Sequence, residues 1–327
     1  MELSGMSETR IGTEGAGGVR ARWGAKHCGY TANATILWIA MRFLWVSYVL
    51  LWFSIFYFFI FSGKARRASM MYLDRVTPGR SWWRRRVDTY RHMRAFGSLL
   101  LDRGVMLTSR RHGFHISGEG LEHLAAAGDD PNGVVLLTAH FGNAEIGAPY
   151  IREMGLKRPV NLVMYRNEAD GTERFHATHH RLLADMKVIS TTDPLSAGLK
   201  IIAALRRGEM VAMRADRKMD GKTVGAELLG GQVELPSGPF VAAVLSGAPV
   251  LSVYTVRLGY RTYRCFMSPA RRYTVGEGET RDEVIGRAAK DFAGDLEKML
   301  RRFPLQWSNF YDFWEAGGEP RRHDDTT

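Results

Sequence analysis

An uninterrupted apolar stretch near the N-terminus most limits how this chain can fold. Residues 43–62 read FLWVSYVLLWFSIFYFFIFS, twenty residues without a charge, and Lys64, Arg66 and Arg67 follow almost at once. A helix of about twenty apolar residues is long enough to cross the hydrocarbon core of a bilayer. The stretch is too long for a signal peptide, and no small-residue cleavage site follows it. We therefore predict a membrane helix over 35–63 that either spans the bilayer or, being rich in aromatic residues, lies in its interface.

The charge of the chain bears on its orientation and its partners. Lys and Arg number 45 against 34 Asp and Glu, a formal net charge of +11. Because the basic residues cluster after the apolar stretch, the positive-inside tendency places the following domain on the cytoplasmic side. Such a charge suits an anionic membrane surface or an acidic carrier protein, whereas the arginines match no nucleic-acid-binding module, and we expect no nucleic-acid partner. Two cysteines, Cys28 and Cys265, form no disulfide framework.

The rest of the chain divides by composition. Residues 1–34 have no apolar periodicity and predict a disordered extension, and 315–327 predict a flexible tail. Between them, 64–314 is the predicted folded domain, with a basic helix over about 64–103. Strands are then predicted at 114–117, 134–138, 160–165, 188–190, 209–213, 250–256 and 263–267. Helices are predicted at 121–127, 145–154, 172–186, 194–207, 239–246 and 281–302. This alternation predicts an α/β fold, a mixed sheet flanked by helices.

A histidine and a glutamate follow the second predicted strand. His140 lies in the strand-to-helix turn and Glu145 in the first turn of the helix that Asn143 can cap. An imidazole held by a carboxylate at such a turn is suited to taking a proton from a hydroxyl or amine. The alternative is a histidine that lies near a helix cap by chance.

Three further segments offer groups for anions or for orienting a catalytic partner. Arg166 follows the third predicted strand, and its planar guanidinium suits a phosphate or a developing oxyanion. Asp216 follows the fifth, where a carboxylate can orient a catalytic partner or simply fix the loop. Ser237, Gly238 and Pro239 form a tight turn before a helix, and the backbone N–H groups that such a turn presents favour anions. The aromatic residues after Pro304 are more typical of packing than of ligand binding.

Other motifs argue against rival chemistries. The three histidines of the H-x-x-H-H pattern (His176, His179 and His180) match no known zinc arrangement, so no metal site is predicted. The chain has no G-x-S-x-G nucleophile elbow, which argues against a serine hydrolase.

In order and spacing these segments resemble the bacterial lysophospholipid acyltransferases, in particular a divergent subgroup of the lipid A late-acyltransferase branch. The resemblance covers about residues 43–314. It includes the apolar helix, the H-x-x-x-x-E pattern at His140 and Glu145, and Arg166. It also includes the block from Arg206 to Asp216, the turn at Ser237 and Gly238, and the closing Pro-x-Gln-Trp.

The resemblance implies a glycerolipid-acyltransferase-like fold and a membrane-bound transferase on the cytoplasmic face of a bacterial inner membrane. The acyl donor would be a thioester of acyl carrier protein or of CoA, and no other cofactor is implied. His140 would act as general base and Glu145 would orient it, without an acyl-enzyme. Arg217 and Leu229 depart from the family pattern, which leaves the acceptor open beyond a lipid or glycolipid. A catalytically silent membrane scaffold and a basic membrane-anchored binding protein remain the alternatives.

Overall fold

The computed structural model describes residues 42–108, 113–153, 158–164, 186–218 and 221–314 of the chain. The helices are α1 (Leu44–Phe61), α2 (Gly63–Val76), α3 (Trp82–Thr108), α4 (Leu121–Ala127), α5 (Ala144–Glu153), α6 (Pro194–Arg206), α7 (Ser237–Ser246) and α8 (Arg281–Arg302). The strands are β1 (His115–Glu119), β2 (Val134–Thr138), β3 (Val160–Met164), β4 (Lys187–Ser190), β5 (Met210–Arg214), β6 (Thr223–Leu228), β7 (Gly231–Pro236), β8 (Val250–Gly259) and β9 (Thr262–Met267). The predicted extension 1–34 and tail 315–327 lie outside these residues, as does the predicted helix 172–186 apart from Met186, which is not helical.

Seven strands form one sheet in the order β1-β9-β8-β2-β5-β3-β4. Every neighbouring pair is parallel except β8 and β9, which are antiparallel and joined by a short turn. The predicted mixed α/β sheet is confirmed, and all seven predicted strands belong to it. The carboxyl ends of β2, β5 and β8 lie side by side at one edge, which is where sites form in sheets of this kind.

Helices cover both faces of the sheet because its central strands are apolar on both sides. One core joins the sheet to α6, α7 and α8, with Phe240 and Phe292 among its fully buried side chains. A second core lies on the opposite face, where Leu124 of α4 and Ile151 of α5 pack on Val134 and Leu136. This two-sided burial explains why β2 reads as a continuous apolar run instead of an alternating one.

The basic segment after the apolar helix is two helices, not the single predicted one. Residues 77–81, which include Thr77, Pro78 and Gly79, separate α2 from α3. Proline removes a donor and disfavours helical geometry at the preceding residue, and Gly79 takes a positive φ of 75°. Buried Arg85 spans the break by donating to the Leu73 carbonyl at 2.6 Å and the Thr77 carbonyl at 3.1 Å.

A two-stranded hairpin of β6 and β7 was not predicted. Its turn residues Leu229 and Gly230 have φ values of 51° and 72°, the left-handed pair that a tight hairpin needs. Such turns usually contain Asn-Gly, and leucine rarely takes this conformation. The sequence therefore did not indicate a hairpin here. The turn is held from outside, because the Leu229 N–H donates to the Glu297 carboxylate of α8 at 2.7 Å.

Candidate active site

His140 stands two residues beyond the end of β2, in a loop fixed by its backbone. Its N–H donates to Asp216 Oδ2 at 2.9 Å, and its carbonyl accepts from the Ser308 N–H at 2.7 Å. The imidazole is thus presented at the carboxyl edge of the sheet from a rigid loop. The side chain keeps 23% of its surface exposed, which is enough for a substrate group to approach it.

Asp216 is the carboxylate that orients the imidazole, with Oδ1 lying 2.8 Å from His140 Nδ1. The sheet explains the meeting. β2 and β5 are parallel neighbours in which Thr138 is paired with Arg214. Because each functional residue lies two positions past its paired strand residue, the two side chains emerge opposite each other. The resemblance implied that Glu145 orients His140, and the sequence offered Asp216 as a carboxylate that can orient a partner or fix the loop. In the structure the carboxylate in contact with the ring is that of Asp216.

Asp216 is held ionised although it is buried. Burial by itself raises the pKa of a carboxyl, but the His140 imidazole and backbone N–H, together with the Trp307 indole N–H at 3.1 Å, outweigh it and lower the pKa below its usual value. The Asp216 carboxylate is thus buried, ionised and held in position by three hydrogen-bond donors. It can therefore hold one tautomer of His140 through the whole reaction.

The imidazole of His140 is poised as a base. Burial lowers its pKa from the ordinary value, Asp216 opposes that effect, and the charges of Arg214 and Arg217 reinforce it. At neutral pH the ring is therefore uncharged. We assign the proton to Nδ1, which donates to Asp216, because an ionised carboxylate only accepts. The lone pair of Nε2 then remains available to take a proton.

Glu145 forms a different cluster beside this pair. From the first turn of α5 its Oε1 lies 3.0 Å from Arg103 of α3 and 2.7 Å from Arg214 at the end of β5. The carboxylate therefore joins α3 to the carboxyl end of β5. Glu145 thus holds two guanidinium groups near the histidine, and its direct part in catalysis stays a prediction.

The remaining predicted site residues are not brought to the histidine by the described structure. Arg166 lies outside the described residues, as do the three histidines of the H-x-x-H-H pattern. Ser237 and Gly238 are the first residues of α7 instead of a separate turn, and the Ser237 N–H is already given to the Lys222 carbonyl at 3.0 Å. An anion-binding role for this helix start stays a prediction.

The PLQW segment (Pro304 to Trp307) completes the site. From the sequence, its aromatic residues indicated only packing. The Gln306 carbonyl accepts from the Gly142 N–H at 2.8 Å, and its side-chain amide bonds the backbone of Arg257 at both ends, at 2.8 and 2.7 Å. The fully buried Trp307 ring brings its N–H to Asp216. A buried tryptophan can pack against apolar side chains and also donate one hydrogen bond, and a single sequence does not show that it does the second.

Arg217, one of the departures from the family pattern, ties down the chain that follows the PLQW segment. Its guanidinium donates to the Ser308 carbonyl and lies 5.7 Å from the centre of the Tyr311 ring. Ser308 in turn binds the His140 carbonyl. Through Ser308, Arg217 therefore helps to hold the loop that carries His140.

Gly142 makes the catalytic loop possible. It has a φ of 59°, and a Cβ at this position would lie 2.1 Å from the Thr255 carbonyl oxygen. We predict that Gly142→Ala lowers the free energy of unfolding by at least about 1–3 kcal/mol, because backbone strain is added to the clash. Thermal unfolding in detergent measures the loss.

The control for Gly142→Ala is Gly294→Ala in α8, where a Cβ meets no atom within 4 Å. It should raise stability by about 0.5–1 kcal/mol, since alanine is the better helix former. Equal unfolding midpoints for the two variants would contradict the assigned role of Gly142.

Comparison with known proteins identifies the family of the chain. The family model for the bacterial lipid A biosynthesis acyltransferases matches residues 93–315, more than half of the chain. Two relatives are the lipid A biosynthesis palmitoleoyltransferase of Escherichia coli (strain K12) and the lipid A biosynthesis acyltransferase of Shigella flexneri. Each is 29% identical over 192 residues, which are 58% of this chain and 58% of the relative. The match thus spans less than two thirds of either relative. On the family match, the chain belongs to the bacterial lipid A biosynthesis acyltransferases.

Proposed function

We propose that this protein is a membrane-bound acyltransferase that moves a fatty acyl group from a thioester to a hydroxyl of a lipid or glycolipid, with His140 as general base. The observation that carries the proposal is the contact of His140 Nδ1 with Asp216 at 2.8 Å, which leaves Nε2 accessible on a neutral ring. The printed names of the relatives favour a lipid A-type glycolipid as the acceptor.

The proposed chemistry needs one proton relay. Nε2 of His140 takes the proton of the acceptor hydroxyl as the oxygen attacks the thioester carbonyl, and Asp216 stabilises the resulting imidazolium. The tetrahedral intermediate then collapses and expels the thiolate. The imidazolium returns its proton to that sulfur, so the products are an ester and a free thiol. No group on the protein is acylated.

The arginines beside the histidine fit the negative charge that develops. Glu145 fixes the side chains of Arg103 and Arg214 by ion pairs, and each arginine side chain keeps more than a quarter of its surface exposed. Such pre-positioned cations can stabilise an oxyanion or hold a phosphate of donor or acceptor. Arg166, which follows β3, is proposed for the same task.

The donor is proposed to be acyl carrier protein or CoA. Both are anionic, and the net charge of +11 favours their approach. Rates with acyl carrier protein thioesters and acyl-CoA, measured side by side at several salt concentrations, identify the donor. A donor that approaches through charge loses rate as ionic strength rises.

The pH profile should show the lowered pKa of His140. The base works only when neutral, so kcat/KM is expected to be flat at neutral pH and to fall as pH drops through the pKa of His140. Because burial lowers that pKa, the acidic limb should lie below the ordinary value of 6.5 for histidine. A limb above that value would contradict the neutral, buried imidazole.

Lipid mass spectrometry tests the acceptor. A strain that lacks the gene is expected to lose one acyl chain from a lipid or glycolipid that its parent contains, and the missing mass gives the chain length. Unchanged lipids, together with no transfer from either thioester in vitro, would favour the catalytically silent scaffold instead.

A further inference from the structure

The apolar helix α1 is attached to the folded domain along its whole length. Its most buried residues, Leu44, Ser47 and Ile55, are separated by three and eight residues, and Tyr48 and Leu51 lie between them partly buried. A repeat of three or four residues marks one side of a helix. One stripe of α1 therefore faces protein from its first residue almost to its last turn.

The partner of that stripe is α3, which runs antiparallel to α1. Near one end, Tyr48 donates to the Asp102 carboxylate. In the middle, Leu51 and Ile55 close over Gly97, where an added Cβ would lie 2.9 and 3.1 Å from them.

The contact continues to the other end of the pair. The Phe59 ring lies 5.7 Å from the ring of Tyr90, which also lies 6.0 Å from Trp52. The two helices thus stay together from Tyr48 to Phe59, about 12 residues of α1, or roughly 17 Å at the helical rise per residue.

The start of α1 also contacts the central sheet. Asp102 accepts from the Arg257 guanidinium of β8 at 2.9 Å and from the Tyr263 hydroxyl of β9 at 2.6 Å. Leu44 joins the same apolar cluster as Tyr263 and Ile146. The N-terminal half of α1 therefore lies beside the catalytic domain.

A membrane-spanning α1 is incompatible with these contacts. The hydrocarbon core is about 30 Å thick, so a helix of 18 residues that crosses it is immersed from end to end. α3 would be immersed with it, together with Asp88, Arg91, Arg94 and Asp102. Charges at such depth are costly. The six apolar residues before Arg42 (residues 36–41) are too few to cross separately.

The opposite side of α1 is nevertheless built for lipid. The exposed side chains there are almost all large and apolar: Trp45, Val49, Leu50, Phe53, Phe56, Tyr57, Phe58, Ile60 and Phe61. Phe53 is 72% exposed, and Trp82 and Trp83 at the start of α3 are 53% and 71% exposed. Indole rings beside arginines are typical of the headgroup region, and Arg86 lies 4.5 Å from the Trp82 ring centre.

From these contacts we infer that α1 does not cross the bilayer but lies in one leaflet, with its aromatic side in lipid and both of its ends on the same side as the catalytic domain. The inference rests on the membrane attachment in the proposed function and not on its acyl chemistry. It also places the catalytic domain beside the leaflet in which α1 lies.

The two cysteines of the chain provide the test. Cys28 precedes α1, whereas Cys265 is fully buried in β9 and should be unreactive in the folded protein. The full chain is expressed in bacterial spheroplasts and treated with a membrane-impermeant maleimide, before and after lysis. Cys28→Ser gives the background, and Cys28→Ser with Glu277→Cys reports the side of the domain, because Glu277 is exposed on the loop before α8.

The expected result is labelling on the same side of the membrane for Cys28 in the unmodified chain and for the thiol introduced by Glu277→Cys in the double variant. Both thiols are protected in intact spheroplasts if that side is the cytoplasm, as proposed. Labelling on opposite sides would overturn the inference while leaving membrane attachment and catalysis intact. Release of the chain from membranes by sodium carbonate would instead overturn the attachment itself.

Discussion

His140→Ala should lower kcat/KM for acyl transfer by about 10²–10⁴-fold, the usual contribution of a general base. The variant loses the only group that the described structure places to take the acceptor proton. The fold should survive, because the loop is held mainly by backbone hydrogen bonds, from His140 to Asp216, from Ser308 to His140 and from Gly142 to Gln306. The purified chain is assayed with an acyl thioester and the acceptor that lipid profiling identifies.

The matched control for this variant is His123→Ala. His123 lies on α4, its side chain is 35% exposed, and its only charged neighbour in the described structure is Glu122 at 3.9 Å. It should keep wild-type activity and stability. An active His140→Ala enzyme would contradict the proposed mechanism. If His140→Ala no longer folds or binds membranes, His140→Gln is assayed in its place, because glutamine better preserves the side-chain volume of histidine.

Asp216→Asn is expected to cost about as much, some 10²–10⁴-fold in kcat/KM, with a small change in protein structure. The amide matches the carboxylate in shape but carries no charge to stabilise an imidazolium, and its NH2 group can fix the wrong tautomer of His140. The Trp307 indole would also lose its anionic acceptor. Initial rates over a range of acceptor concentrations separate kcat from KM, and the loss should appear in kcat.

Glu145→Gln is the comparison that separates the two carboxylates. It loosens Arg103 and Arg214 but leaves the His140–Asp216 contact in place. We expect its main effect on KM, since the arginines are proposed to bind anionic parts of the substrates. A larger loss of kcat in Glu145→Gln than in Asp216→Asn would restore Glu145 as the orienting residue.

Much of the sheet could be predicted because its strands are buried and sharply bounded. The run Val134 to Thr138 was placed without error, and α8 was placed from Arg281 to Arg302 by its apolar repeat. In the structure a capping box of Thr280 and Glu283 fixes its start. The β6–β7 hairpin was missed because its turn uses Leu229 in a left-handed conformation that only tertiary contacts make favourable. Local preference gave no warning there.

The sequence indicated His140 and Asp216 separately, but not that their side chains meet. His140 and Glu145 are five residues apart, which suggested a contact, whereas His140 and Asp216 are 76 residues apart and meet only because β2 and β5 are parallel neighbours. The order of strands in the sheet cannot be predicted from the spacing of motifs along the sequence. The role of Trp307 follows from the same long-range geometry, since its ring reaches Asp216 from the segment after α8.

The most direct test of the account is the pH dependence of kcat/KM in the wild type and in Asp216→Asn. Asp216 opposes the lowering of the His140 pKa by burial, so its removal should move the acidic limb to still lower pH while the plateau falls by about 10²–10⁴-fold. A variant with the wild-type limb and plateau would show that Asp216 does not act on the catalytic histidine, and the proposed pair would be wrong.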